Sequence, residues 1–330
     1  MHSQTMTRFL AFLADAGWGG ARIEPIAGDA SFRRYFRIID GDRSAMLMDA
    51  PPPNEDPRPF LAMAHYLADN GMRAPAILAE DAADGLVLLE DFGERRMREA
   101  VDGPQADNEA AIYRTAIDTL IALQSVPLAP VATYGPSEYH REVDLFVQWY
   151  CPARGLTVDI NGYRSAWEAA LEPLYAAAQP QVTVLRDYHA ENIMLLDSGE
   201  QGLLDFQDAL IGSPAYDLVS LLQDARRDVS LALEAEMLAY FASCNRLDFD
   251  LETHYRLLGA QRNAKIIGIF VRLWVRDGKP RYPTLIPRVW DALERDLAHP
   301  ALAPVAHWFD ANIPSDLRDP AAVLGGEFTL

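Results

Sequence analysis

Lysine is almost missing from this chain of 330 residues: Lys265 and Lys279 are the only two among 29 basic residues, and the other 27 are arginines. Against them stand 48 acidic residues, for a formal net charge of −19. Duplex nucleic acid and anionic membrane surfaces both require a net basic face, so neither is expected as a partner. Cysteine is scarce as well. Cys151 and Cys244 are too few for a disulfide framework or a cysteine-based zinc site, and each is expected as a small buried apolar residue. Long apolar runs are also lacking, since no stretch approaches the ~20 residues of a membrane helix. The run Phe9–Leu13 is followed closely by Asp15 and reads as one face of a first helix, not as a targeting segment. The expectation is a cytoplasmic protein acting on small molecules.

Half of the residues are hydrophobic and 23% are charged, which is ordinary globular composition and excludes wholesale disorder. At about 100–200 residues per domain, the length allows two or three units with cores of their own. Residues 7–16 read as a helix closed by Gly17, Gly19 and Gly20. Three short strands over 23–26, 35–39 and 45–48 follow, as an antiparallel meander with polar turns at 28–31 and 40–42. A helix over 60–70 ends at Gly71, and strands at 76–78 and 86–89 lead into Glu90-Asp91-Phe92-Gly93. From Asn108 onward the spacing predicts helices over 108–124, 138–150, 162–176, 216–226, 230–243, 251–272 and 284–297. Short apolar pieces at 182–185, 193–196 and 202–204 read as small strands flanking a loop. Strands first and helices later imply an α+β chain of two lobes, not a doubly wound sheet: residues 1–90 form a small β-rich N-lobe and 91–330 a large helical C-lobe.

The passage richest in chemistry is Leu185-Arg186-Asp187-Tyr188-His189-Ala190-Glu191-Asn192, followed by Leu204-Asp205-Phe206-Gln207-Asp208. Asp187 and Asn192 lie in a polar loop between two apolar strands, and Asp205 comes directly after a third. Polar loop groups held by rigid strands are where catalytic residues concentrate. A carboxylate, an amide and a second carboxylate suit in-line phosphoryl transfer, with one group to orient an acceptor hydroxyl and two oxygen donors for Mg²⁺. Any one of them alone would read as a turn residue; their joint placement does not.

These residues resemble a known family. Asp187-x4-Asn192 with Asp205 after an apolar strand is similar to the catalytic loop and metal-binding aspartate of the protein-kinase-like superfamily. Asp187-x-His189-x-x-Asn192 and Asp205-Phe206-Gln207-Asp208-Ala209, then Gly212-x-Pro214-x-x-Asp217, resemble its aminoglycoside phosphotransferase/choline kinase branch. The resemblance implies a two-lobed protein-kinase-like fold using ATP and Mg²⁺. Asp187 would then be catalytic, Asn192 and Asp205 would hold the metal, and Asp217 would brace the loop. Asp91-Phe92-Gly93 spells the protein-kinase metal motif, but it precedes the catalytic loop by most of a lobe. By position Glu90, Asp91 and Phe92 are the hinge, whose backbone would meet the adenine. Four segments, residues 28–36, 47–52, 89–93 and 205–209, together resemble the bacterial anomeric kinases of N-acetylmuramate and N-acetylglucosamine that serve cell-wall recycling. An aminoglycoside, choline or homoserine acceptor, and a pseudokinase module without activity, are the alternatives.

The chain departs from the superfamily's pattern in informative places. The histidine and glycine expected just before the catalytic aspartate are Leu185 and Arg186. The strand lysine that holds the phosphates is absent, because residues 1–90 contain no lysine, and the helix at 60–70 contains no glutamate to pair with one. The turn Gly28-Asp29-Ala30-Ser31 offers small residues and backbone N–H groups for the phosphates. Alternation sends Arg33 and Arg34 to opposite faces of the next strand, so one of them is expected to reach the phosphates, with Arg34 the more deeply placed. For the acceptor, Trp149 and Tyr150 in the aromatic run 144–150 read either as core or as a wall for a sugar ring. Arg262, Asn263 and Lys265 begin an otherwise apolar helix and read as a cavity wall, with donors for the N-acetyl and carboxylate groups of a small sugar substrate, or as a helix reaching the surface. A monomer is expected.

Overall fold

The computed structural model describes residues 3–26, 33–103, 108–175, 179–245 and 247–318. In chain order the elements are α1 (Ser3–Asp15), β1 (Arg22–Ile26), β2 (Arg34–Asp40), β3 (Arg43–Asp49), α2 (Arg58–Asp69), β4 (Ile77–Asp81), β5 (Leu86–Glu90), α3 (Met97–Asp102), α4 (Glu109–Gln124) and α5 (Pro136–Leu145). A π-helical turn, Phe146–Tyr150, continues α5 into the short α6 (Cys151–Ala153), and α7 (Ile160–Leu171) follows. Next come β6 (Val182–Val184), β7 (Ile193–Leu195), β8 (Gln201–Leu203), β9 (Leu210–Gly212), α8 (Tyr216–Leu222), α9 (Leu231–Cys244), α10 (Leu251–Val275), α11 (Ile286–Leu297) and α12 (Ala303–Asn312). Among the described residues, no helix is long and apolar enough to cross a membrane. Cys151 is buried, whereas Cys244 is exposed, contrary to the expectation that both would be core.

The chain forms two compact units, one of residues 1–108 with 190–209 and one of 109–189 with 210–330. Neither boundary falls at residue 90. The segment after the sheet stays with the first unit because Arg95 and Arg98 are bonded to the later loop: the Leu195 amide donates to the Arg95 carbonyl (2.8 Å) and the Arg98 amide to the Ala190 carbonyl (3.0 Å). Arg98 also pairs with Glu191.

The first unit is built on an antiparallel sheet of order β1-β2-β3-β5-β4. In β2 the alternation is plain: Phe36 and Ile38 are buried on one face while Tyr35 and Arg37 point to the other. The buried face packs on α1 and the turn after it, where Phe9, Leu13 and Trp18 meet Phe36, Ile38, Ala45, Leu47, Leu86 and Leu88. Each large side chain so buried contributes about 1.5–3 kcal/mol. Leu86–Leu89 of β5 are buried without alternation, which requires cover on both faces of the strand; Leu86 and Leu88 belong to the cluster on the α1 face. The hairpin β7–β8 completes the unit, and just beyond it Phe206 stacks on Phe60 of α2 with ring centroids 5.0 Å apart.

The second unit is organised around the 25-residue α10, whose N-terminus is capped by Asp250 accepting from the Thr253 amide at 3.1 Å. Gly268 permits a close approach of α10 to α5, since a Cβ there would collide with the backbone of Leu145 at the end of α5. An aromatic cluster of Phe146, Tyr150, Tyr163, Trp290, Trp308 and Phe309 fills the space beside it. The single helix expected over 138–150 is therefore α5 with a π-helical turn. Elements α3, α12 and β9 were not anticipated: α3 and β9 are too short to show a period, and α12 is nearly apolar on several sides.

Candidate active site

In the second unit, Asp187 follows β6 in a loop that the fold holds at several points. The buried carboxylate of Asp217, at the start of α8, accepts from the Leu185 amide (2.7 Å) and the Arg186 amide (2.8 Å). This is the bracing role expected of it. Arg186 has φ +70°, a left-handed conformation that suits the glycine the family places there. Its side chain stabilises the conformation by pairing with Glu142 and lying 5.5 Å over the Tyr134 ring. Burial pushes the Asp187 carboxyl upward, but the surrounding cations, chiefly Lys265 with Arg262 and Arg226, outweigh it and hold the group below the ordinary carboxylate range. Asp187 is therefore an anion at neutral pH, poised to accept a hydrogen bond or a proton. His189 takes no charge there. Burial first, then Arg226, pushes its imidazole down to about 4, and Arg226 Nη1 lies 3.0 Å from its Nε2.

Glu142 on α5 is the hub of the wall beside Asp187. Lys265 Nζ lies 2.9 Å from it, Gln261 Nε2 donates to it at 3.1 Å, and Tyr134 and Arg186 bond to it as well. Burial would raise this carboxyl, yet Lys265 and Arg186 bring it below its usual range. Lys265 is also 3.4 Å from the Tyr216 hydroxyl. Arg262 is only 3% exposed, donates to Ser220 Oγ at 2.8 Å, and keeps its Nη1 buried without a hydrogen-bond partner. Arg262 and Lys265 thus do face the Asp187 loop. Asn263 does not: its amide bonds to Gln223 at 2.7 Å, on the side of α10 that meets Asp296. Successive residues of a helix point about a quarter-turn apart, so the expected trio divides between two faces. Tyr150 is core, with no exposure of its ring and its hydroxyl bonded to the Leu317 carbonyl, whereas Trp149 is half-buried.

In the first unit, the ends of Asn192 and Asp205 converge at 3.4 Å, and Gln207 Nε2 donates to the other Asp205 oxygen at 2.8 Å. Asp205, two residues past the end of β8, also has a left-handed backbone, φ +58°, an uncommon geometry for a non-glycine residue. Two oxygen-bearing side chains so close fit one small hard cation that draws its other ligands from phosphate and water. Among the described residues, no group of three His, Cys, Asp or Glu forms a self-sufficient metal cage. Near Asp205 lies Tyr35, whose phenol is pushed up to about 12 by burial, with Arg33 opposing and Asp205 and Glu55 adding to the rise. Arg33 pairs with Glu55 (Nε to Oε2, 3.2 Å), both side chains being mostly buried. Arg34 lies elsewhere: it shares the buried Asp49 with Arg8, in register with Phe36 and Ile38 on the α1 side of the sheet. The expectation that favoured Arg34 fails for that reason. Gly28, Asp29, Ala30 and Ser31 lie outside the described residues.

At residues 90–92 the side chains are engaged in structure. Glu90 pairs with Arg73, Asp91 forms an ion pair with Arg37 (2.8 Å) and accepts from Arg37 Nη2 (3.3 Å) and from the Gly93 amide (2.9 Å), and Phe92 lies under the Arg73 guanidinium. A cavity of about 460 Å³ borders residues 90–95 and the turn joining β7 to β8. Glu142 and Glu55 were missed at the level of sequence. Glu142 carried one usable signal, an acidic residue on the apolar side of a helix.

The model of the phosphotransferase enzyme family matches residues 22–254. A protein of Caulobacter vibrioides named N-acetylmuramate/N-acetylglucosamine kinase is 37% identical, over 93% of this chain and 96% of its own. One of the same name from Pseudomonas aeruginosa is 40% identical, over 88% and 89%. Among solved structures, choline kinase LicA of Streptococcus pneumoniae superposes with a TM-score of 0.67 at 12% identity, covering 91% of this chain and 99% of that one. That likeness speaks for the fold alone. With the family model spanning most of the chain and such relatives covering nearly all of it, this protein belongs to the phosphotransferase enzyme family and is a kinase.

Proposed function

We propose that this kinase transfers the γ-phosphate of ATP to the anomeric hydroxyl of N-acetylmuramate or N-acetylglucosamine, giving the sugar 1-phosphate. The observation that carries the acceptor is the name shared by relatives 37–40% identical along most of the chain. The charge state of Asp187 supports the chemistry. A hemiacetal hydroxyl is more acidic than an ordinary alcohol, so a carboxylate kept ionised among Lys265, Arg262 and Arg226 suffices to receive its proton. As the sugar oxygen forms its bond to the γ-phosphorus, the bond to the β-phosphate oxygen breaks, ADP leaves with that electron pair, and the proton passes to Asp187. Magnesium, held by Asn192 and Asp205, would supply charge neutralisation at the phosphate oxygens. Arg33, braced by Glu55 on the face where Tyr35 senses Asp205, takes the place of the absent lysine toward the phosphates. A planar, permanently charged guanidinium suits that task. The half-buried Trp149 offers a wall for the sugar ring. ADP release measured with both sugars, their methyl glycosides, kanamycin and choline tests the reading. Turnover of the free sugars with none of the methyl glycosides is expected. Equal turnover of a methyl glycoside excludes anomeric transfer, and turnover of kanamycin or choline alone assigns another acceptor.

A further inference from the structure

The stripe of α10 that carries Gln261 and Lys265 continues through Gly268 to Arg272, at intervals of four, three and four residues, which a helix places on one face. Its neighbour along this stripe is α5 with the π-helical turn, and the two run in the same direction. Gln261 and Lys265 meet Glu142, and Gly268 meets Leu145. The same register carried one turn further sets Arg272 at the level of Trp149, which is half-buried within the π-helical turn. Interruptions of this kind are frequent at functional sites. Lys265 is the cation of the stripe that acts on Asp187, and Arg272 stands about 10 Å along the axis from it at 1.5 Å per residue. A substituted pyranose spans such a length.

Arg272 differs from the arginines around it. Arg256 is paired with Asp296 at 3.1 Å, and Arg276 is paired with Asp277 at 2.7 Å. Arg272 is half-buried, its Nε is shut off from solvent, and its guanidinium has no hydrogen-bond or ion-pair partner among the described residues. Burial, and then the neighbouring charge of Arg276, lowers its affinity for its proton, with Asp277 opposing. An unpaired, partly desolvated guanidinium is costly to fold. It would be compensated by a ligand that brings a carboxylate, which its forked donors match. In a chain of net charge −19, an anionic acceptor needs such a local cation.

We infer that Arg272 binds the carboxylate of the acid-bearing sugar, holding N-acetylmuramate by its lactyl group while the anomeric end lies toward Lys265 and Asp187. This rests on the acceptor reading above and adds to it the residue that separates the acidic sugar from the neutral one. The test is the ratio of kcat/KM for N-acetylmuramate to that for N-acetylglucosamine, in the unaltered chain and in Arg272→Ala. A charge-assisted hydrogen-bonded pair predicts that the ratio falls roughly 10- to 100-fold. Arg272→Lys should recover part of the loss, and Arg272→Gln repeats the test should the alanine variant not fold. The methyl ester of the lactyl group supplies the control, since its kcat/KM relative to the neutral sugar should not depend on residue 272. An unchanged ratio, or an equal loss for ester and acid, overturns the assignment. An unaltered chain that turns over neither sugar overturns the acceptor reading as well, and so tells the two failures apart.

Discussion

Replacing Asp187 by asparagine keeps its shape and removes its charge, so the variant separates binding from chemistry. The metal and phosphate roles are proposed for other residues, so ATP should bind nearly as before. kcat should fall by about 10²–10⁴, the usual worth of a positioned proton acceptor. Single-turnover rates beside a nucleotide titration decide it, and near-normal turnover removes Asp187 from the mechanism. His189 makes a different demand. Its imidazole titrates at about 4 in the folded chain against an ordinary 6.5. Between those values the unfolded chain takes up a proton that the folded one refuses. Stability from this residue is therefore complete above 6.5 and drains away as the pH falls through that window. The loss amounts to about 3 kcal/mol at most. Urea midpoints from pH 7 to 4 should fall more steeply for the unaltered chain than for His189→Gln, and parallel curves would refute the assignment. Asp187, Asn192 and Asp205 could be singled out in the sequence because their spacing is local and each lies beside a short strand. The Glu142–Lys265 pair was not, because its members lie 123 residues apart and meet only when α5 packs on α10. Alternation separated Arg33 from Arg34 but could not say which face α1 would cover.

At the scale of elements, the contact of α10 with α5 sets the wall beside Asp187, and at Gly268 it leaves no room for a side chain. Gly268→Ala would place a Cβ against the Leu145 carbonyl, which as backbone cannot turn aside. The helices must then part, at a cost of about 1–3 kcal/mol in stability. The Lys265–Glu142 pair lies one turn away and should shift with them. The expected signature is a lower urea midpoint together with a raised KM for sugar and little change in KM for ATP. Unchanged sugar kinetics in a destabilised variant would limit this contact to a structural role. The helix over 136–145 was legible in its amphipathic spacing, but the π-helical turn that follows it was not. One extra residue in a turn alters which side chains face α10 without altering the count of apolar residues. Most of the other long helices and the strands were found to within a few residues, since their periods extend over several turns or are bounded by glycine and proline.

For the whole molecule, the order of strands before helices was enough to anticipate an α+β chain of two lobes, and the kinase-like fold came from the resemblance of the loop around Asp187 and Asp205. It could not reveal that residues 190–209 return to the first unit, because that attachment rests on bonds such as Arg98 to Ala190 and on the stacking of Phe206 over Phe60. The rarity of lysine has a practical consequence of its own. To an endopeptidase that cuts after lysine, these 330 residues offer one good bond, Lys265–Ile266, since Lys279 is followed by proline. That bond lies in the middle of α10, with Ile266 and Ile267 buried, and it can enter a protease cleft only if the helix opens. Under native conditions the rate of this single cut should report how often α10 opens. Sugar bound to the folded chain should slow it in proportion to occupancy. Prompt cleavage of the unliganded protein would show that the wall beside Asp187 is a transient one. Slow, ligand-protected cleavage to two fragments would make an ordinary protease into a gauge of the acceptor site.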